Sequence, residues 1–222
     1  MAQYGWHVNI DNCIGCRACE GACKQEFELP AGVRRRFVAL QEGTVNNKPF
    51  RLHVSMACMH CASPACMAAC PVDRYWKDTT ATAEGMALRQ AFGMDGNPET
   101  GLVLTKPSVA EDGMNGVDCI GCKRCMAACP YGAIQFDETH GYADKCVGCY
   151  HRLFNTNLPP ERRKPACVIT CSEFALHMDE LSVIDGGVYG TANKLTGSPV
   201  ADIANPTTTN PSVRFKPQTN IG

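Results

Sequence analysis

The sequence predicts an α+β chain made of two small paired units of short strands and helices, with insert loops and an extended C-terminal tail. Sixteen cysteines, all between positions 13 and 171, are the first observation behind this reading. The second is that they fall into four groups of four with none left over. The third is a short alternating or apolar stretch beside each group, which reads as a strand. At 222 residues the chain is long enough for one or two domains. Aromatic residues make up only 7%, few for a protein held by a large apolar core.

Group I is Cys13, Cys16, Cys19 and Cys23; group II is Cys58, Cys61, Cys66 and Cys70, followed by Pro71. Group III is Cys119, Cys122, Cys125 and Cys129, followed by Pro130; group IV is Cys146, Cys149, Cys167 and Cys171. Groups I and III have the spacing Cys-x2-Cys-x2-Cys-x3-Cys, the run by which bacterial ferredoxins bind cubane clusters. Three thiolates of such a loop converge on one cubane. The fourth starts a short helix, faces away and ligates the other cluster of a pair. The proline after it suits the exit turn, because its φ is fixed and it donates no hydrogen bond. Lys24 and Ser172 take that place in groups I and IV. Zinc also favours Cys-x2-Cys pairs but has no use for a third cysteine two residues on. A disulfide scaffold is disfavoured, since Met1 to Ile10 lacks the apolar core of a secretory signal. All sixteen cysteines are therefore candidate iron ligands of four [4Fe-4S] clusters.

Crossover of the fourth cysteines requires the groups to pair. Groups II and III are adjacent and both carry the proline, which leaves I with IV. The expected sets are Cys58, Cys61, Cys66 with Cys129; Cys119, Cys122, Cys125 with Cys70; Cys13, Cys16, Cys19 with Cys171; and Cys146, Cys149, Cys167 with Cys23. Pairing in chain order, I with II and III with IV, is the alternative. The favoured pairing divides the chain into an outer ferredoxin-like unit (1–50 with 140–185), an inner one (51–139, with an insert at 74–110) and a tail (186–222).

"YGWHVNI" (Tyr4 to Ile10) reads as a half-buried strand entering group I, and "RLHVSM" (Arg51 to Met56) as a strand entering group II. "GLVLT" (Gly101 to Thr105), "GAIQF" (Gly132 to Phe136) and "EFALHM" (Glu173 to Met178) occupy the matching places around groups III and IV. "MDGNPETG" in the insert reads as a surface hairpin. The loop from His151 to Ala166 reads as exposed, and the Thr-, Asn- and Pro-rich tail as laid along a partner. "RRRFVAL" (Arg34 to Leu40) resembles a twin-arginine export signal, but lies too deep in the chain and lacks the apolar stretch behind it. An exposed basic turn or partner contact is the preferred reading.

The formal net charge of −1 gives no reason to expect nucleic acid or an anionic membrane surface as a partner. No apolar run reaches the roughly eighteen residues of a membrane span. No Gly-rich phosphate loop, nucleophile elbow or metalloprotease helix is present. No catalytic residues are expected. His60 reads as packing behind the ligands, His53, His140 and His151 as structural, and Met59, Met67 and Met126 as soft filler beside the clusters. Lys24, Lys123, Arg124 and Lys145 are candidates for offsetting cluster charge.

The stretches "QYGWHVNIDNCIGCRACEGACK", "MHCASPACMAACP", "DCIGCKRCMAACPYGA", "KCVGCYHRL", "KPACVITC" and "NPSVRFKPQ" together resemble the four-cluster iron–sulfur subunit of the dimethyl sulfoxide reductase family of molybdopterin oxidoreductases. The resemblance covers nearly the whole chain. It implies the I–IV and II–III pairing, and an electron-transfer subunit that is not an enzyme on its own. It also implies a molybdopterin catalytic partner and a membrane anchor exchanging electrons with quinone. The chain is then peripheral to a membrane, on the periplasmic side through an exported partner in preference to the cytoplasmic side. Some relatives place tryptophan at a group III cysteine and hold a three-iron cluster; here all four cysteines are present. The insert after group II and the wide Cys149–Cys167 gap depart from the pattern. They leave the partner's substrate open among sulfur, selenium, arsenic and nitrogen oxyanions, with a hydrogenase or formate dehydrogenase partner as further alternatives. A zinc-stabilised interaction scaffold is the reading from a different class.

Overall fold

The computed structural model describes residues 3–94, 96–106, 119–189 and 209–216. Strand β1 (Tyr4–Asn9) is the centre of a three-stranded sheet, antiparallel to β8 (Leu176–Glu180) and parallel to β9 (Val213–Lys216). Trp6 faces Met178 on one side and Val213 on the other. The expected half-buried strand is thus buried from Gly5 to Asn9. The short helix α7 (Leu181–Asp185) packs over the Gly5 face, and Trp6 and Val8 on the other face join the main core, so neither face is left to solvent.

Strands β2 (Arg36–Val45) and β3 (Lys48–Ala57) form a hairpin of ten residues a side. Its two-residue turn is Asn46–Asn47, both at positive φ (50° and 60°), the conformation that matches the twist of antiparallel strands. The expected strand at Arg51 to Met56 is the second half of this hairpin. The hairpin runs through position 50, so one arm lies in each of the two expected units.

Four short helices follow the cysteine loops. Helix α1 (Ala18–Glu26) packs on α6 (Ala166–Ile169), and α2 (Ala65–Ala69) on α4 (Arg124–Ala128). These are the helices of groups I and IV, and of II and III. Helix α5 (Tyr150–Leu153) opens the loop after Cys149.

The insert is a folded element. Strands β4 (Tyr75–Lys77) and β5 (Val103–Thr105) pair antiparallel, and helix α3 (Ala83–Ala91) is capped by the Thr82 hydroxyl, which accepts from Gly85 N at 3.0 Å. Where a surface hairpin was expected, residue 94 and residues 96–101 instead wrap the buried Arg89, residue 95 lying outside the described residues. That guanidinium pairs with Asp78 and donates to the carbonyls of Met94 (3.0 Å) and Asn97 (2.5 Å). A buried cation with a carboxylate and several carbonyls is satisfied only if the chain closes around it. Strands β6 (Gln135–Asp137) and β7 (Tyr142–Asp144) pair antiparallel, with β6 starting later than the sequence pattern suggests; Ala143 of β7 packs with Cys66 and Cys125, so the inner unit reaches past the expected boundary at 139.

The tail expectation is corrected over its described part. Residues 209–216 pack on the chain itself: β9 joins the outer sheet, while Ser212 N donates to Met59 O at 2.8 Å and Ser212 Oγ to His60 O at 2.8 Å. Ala62 N and Ser63 N donate in turn to the carbonyls of Asn210 and Thr209 at 2.8 and 3.1 Å. The segment straps the outer sheet to the group II loop.

Candidate metal centres

The third residue of the first Cys-x-x-Cys in each group is left-handed: Gly15 (φ 73°), His60 (42°), Gly121 (67°) and Gly148 (71°). This conformation swings the second cysteine back toward the first and aims backbone N–H groups at sulfur. His60 N lies 3.4 Å from Cys58 Sγ, and Gly148 N lies 3.4 Å from Cys146 Sγ. Behind the fourth cysteines, Arg74 N reaches Cys70 Sγ (3.4 Å) and Ala175 N reaches Cys171 Sγ (3.2 Å). Ala143 N reaches Cys119 Sγ at 3.5 Å. Such donors stabilise negative sulfur.

His60 stands where the other loops have glycine, and a β-carbon there costs on the order of 1 kcal/mol. Its surroundings hold it in place: it is fully buried, stacks on Trp6 with ring centroids 5.0 Å apart, and accepts from Val103 N at Nδ1 (3.1 Å). Burial, helped by the nearby cations Lys145 and Lys77, pushes its pKa well below the usual value, so the imidazole is neutral. It packs as expected behind the ligands. His151 pairs with Glu26 (2.7 Å) and His140 with Asp137 (2.8 Å), both structural contacts. His53 lies on β3 beside Gly15.

The structure brings the cysteines together across the chain. Cys13, Cys16, Cys19 and Cys171 line one cavity with about 340 Å³ of atom-free space. Cys58, Cys61, Cys66 and Cys129 line a second of about 350 Å³. Burial, then the neighbouring Cys146 and Cys167, push the Cys23 thiol up to about 12. The Cys149 thiol is raised by burial and by Cys146, Cys167 and Cys23, which places these four side by side. Cys125 is raised by burial and by Cys119 and Cys70, while Cys122 lies exposed in the same loop. Burial and sulfur neighbours hold Cys61 at about 11 and Cys66 at about 12. Thiols so crowded ionise only when a metal takes the place of the proton.

The residues fit a cluster better than a single ion. Among the described residues no three His, Cys, Asp or Glu side chains close on one metal ion, whereas eight thiols ring the two cavities. That geometry counts against zinc, which needs four ligands about 2 Å from one centre. It suits an iron–sulfur core, whose own sulfides fill the space between the thiolates.

The four sets adjoin in the order I, IV, II, III. Cys19 neighbours Cys167, and Cys146 neighbours Cys58. Tyr75 lies between Cys66 and Cys125. Each junction holds a buried polar side chain. Between the first two sets is Arg36, 3% exposed. Between the middle two is Lys145, fully buried, which donates to the carbonyls of Val103 and Cys146 (the latter at 3.0 Å). Between the last two is the Tyr75 phenol, whose hydroxyl faces the Cys125 sulfur.

Of the charge-offsetting candidates, Lys145 is therefore at the centres. Lys24 Nζ donates to Pro30 O at 2.9 Å, and Lys123 pairs with Glu138 at 3.0 Å with half its side chain exposed. Met59 is buried in the main core, and Met67 and Met126 pack beside Cys66 and Cys125, as filler should. Sequence reasoning missed Arg36, Ser55, Tyr75 and Thr209. It took the arginine run for an exposed turn, but the run divides as it enters β2. Arg34 is exposed, Arg35 half-buried against Asp144 (2.7 Å) and Arg36 buried. Alternation of Arg36 and Val38 on the inner face was the available signal.

The sulfur sets and their loops define the class, a protein that carries pairs of cubane clusters. A family model described as a 4Fe-4S dicluster domain matches residues 49–181, and a 4Fe-4S binding domain model matches residues 10–26. The B subunit of anaerobic dimethyl sulfoxide reductase from Haemophilus influenzae is 32% identical over 93% of this protein and 87% of its own length. The protein of the same name from Escherichia coli is 30% identical over 98% and 90%. The formate dehydrogenase iron–sulfur subunit of Wolinella succinogenes is 32% identical over 83% and 86%. The protein belongs to the family of iron–sulfur subunits that includes the B subunit of anaerobic dimethyl sulfoxide reductase. It is an electron-transfer subunit of an oxidoreductase that carries four [4Fe-4S] clusters, and its sixteen cysteines fall in ferredoxin-like motifs. Among the described residues no helix is long and apolar enough to cross a membrane.

Proposed function

We propose that the chain passes single electrons along four clusters in a line, between a quinone-linked membrane anchor and a molybdopterin catalytic subunit of the dimethyl sulfoxide reductase type. The observation that carries this is the order in which the sulfur sets adjoin, I, IV, II and III. The two terminal sets hold the exposed cysteines, Cys16 and Cys122, so electrons enter and leave at opposite ends. The ligand sets are Cys13, Cys16, Cys19 and Cys171; Cys23, Cys146, Cys149 and Cys167; Cys58, Cys61, Cys66 and Cys129; and Cys70, Cys119, Cys122 and Cys125. The clusters supply the redox change, and the protein's residues space, bury and tune them without bond chemistry. The chain lies peripherally on the membrane complex, on the side to which its catalytic partner is exported.

The second reading keeps the wire and changes the partner. Relatives at similar identity are named as subunits of formate dehydrogenase, sulfite dehydrogenase and tetrathionate reductase. Anaerobic purification of the complex, with identification of the large subunit and its substrate, separates the two. A molybdenum subunit that reduces dimethyl sulfoxide supports the first. A colourless zinc protein, or one with far fewer than four clusters by iron and EPR, would sink both.

A further inference from the structure

Arg36 is a cation placed where a protein rarely puts one without an acid. Its side chain is buried, and among the described residues no carboxylate forms an ion pair with it. What surrounds it is sulfur. Burial opposes its charge, and Cys167, Cys146, Cys19 and Cys23 more than offset that, so its pKa is raised. Its Nη1 donates to Ser55 Oγ at 3.1 Å, and Ser55 Oγ lies 3.5 Å from Cys19 Sγ. With its oxygen accepting from the guanidinium, Ser55 turns its proton to the Cys19 sulfur. On the other side the guanidinium sits beside Cys167 and lowers its pKa against the raising effect of burial. One guanidinium therefore acts on two different sulfur sets, on one of them through a hydroxyl.

The backbone explains the placement. Arg36 pairs with Ala57 at the open end of the β2–β3 hairpin, and Ser55 is its diagonal neighbour on the same face. Trp6 closes the site, its ring 5.9 Å from the guanidinium carbon.

We propose that Arg36 is the shared counter-charge of the two outer-unit clusters, raising both of their reduction potentials together while Ser55 relays its effect to one of them. The inference rests on the ligand sets proposed above. Reduction of either cluster adds one electron and one unit of negative charge beside the guanidinium. A buried cation favours that more charged state, while burial alone disfavours it.

The test is potentiometric EPR on the purified complex carrying Arg36→Gln, Arg36→Lys or Ser55→Ala, with iron counted first. Sixteen irons per chain confirm that the ligand sets are intact, so a failure of the sets is seen before any potential is read. Arg36→Gln is expected to lower both outer potentials, each by at least tenfold in the reduced-to-oxidised ratio at fixed potential, about 59 mV. The inner two should stay in place. Ser55→Ala should lower one outer potential alone, and Arg36→Lys should restore both most of the way. Full iron with unmoved outer potentials in Arg36→Gln overturns the proposal. If Arg36→Gln loses outer-unit iron, Arg36→Lys decides. Retained iron and near-native potentials support a counter-charge, and equal iron loss shows that the arginine only fills space.

Discussion

The outer and inner units repeat one plan and differ in what stands between their sulfur sets. In the outer unit it is a guanidinium with four sulfur neighbours and, among the described residues, no acid partner. In the inner unit it is the phenol of Tyr75, neutral, its hydroxyl pushed well up by burial and by Cys125. The ligand spacing of groups I and III is identical, so the ligands alone cannot set their clusters apart. The comparison teaches that a repeated cluster fold is differentiated by its packing. A cation at one junction and an uncharged donor at the other give two chemically similar pairs different electrostatic settings.

The most damaging way to probe the comparison is to cut across a pair. A Cys23→Ser variant is expected to lose the cluster of Cys146, Cys149 and Cys167 and to keep that of Cys13, Cys16 and Cys19. Iron content and the EPR signals of the four centres would show it, and loss of the group I cluster instead would break the pairing. Next comes the strap. Removing residues 209–216 strips Thr209 and Tyr131 of their 2.5 Å hydroxyl contact and uncovers the second cavity, which Thr209 helps to line. Iron bound by Cys58, Cys61, Cys66 and Cys129 should then pass to a chelator many times faster. Unchanged release would mean that the strap shields nothing.

Acid should separate the units further. His7 is fully buried in β1, and burial, then His177 and Lys216, hold its pKa at about 4. The unfolded chain takes up a proton more readily than the folded one. The stabilisation is complete above about pH 6.5 and is lost as the pH falls toward 4, by roughly 3 kcal/mol. Amide exchange in the outer sheet should accelerate over that window and do so less in His7→Leu, with both proteins sharing any acid damage to the clusters. An equal acid response in the two proteins would clear His7 of the effect. The smallest change expected is from Tyr75→Phe. Loss of the hydroxyl beside Cys125 should lower the potential of the Cys70, Cys119, Cys122 and Cys125 cluster by no more than about tenfold in its reduced-to-oxidised ratio. A shift in an outer cluster would contradict the local assignment.

The cysteine grouping was readable because its spacing is a property of the chain itself. Three thiols in seven residues converge wherever that loop is placed. The packing of α1 on α6 and of α2 on α4 likewise follows from which helices carry the fourth cysteines. What escaped depends on distant partners. Among the described residues Arg36 has no acid paired with it to announce it, and its burial follows from a hairpin whose first arm carries the polar residues Arg36, Gln41 and Glu42. The Asn46–Asn47 turn was a usable signal for that hairpin. Residues 213–216 form a strand only because β1, over two hundred positions earlier, offers a free edge. The insert folds because Asp78 and Arg89 bury each other, a pairing that eleven positions of sequence do not advertise.

Strand β1 also fixes an order of events as the chain leaves the ribosome. The inner unit has all eight of its cysteines once Cys129 has emerged, and its last strand, β7, ends at Asp144. The outer unit's first four cysteines emerge earliest of all, yet their partners arrive with Cys146 to Cys171, roughly 120 to 150 residues after Cys23. At 5–20 residues per second that interval is on the order of ten seconds. Through it β1 has no neighbour, and the group I thiols stand open to oxygen and stray metals. The inner pair is therefore the first that can receive its clusters, and the outer pair, with Arg36 already waiting in its hairpin, the last.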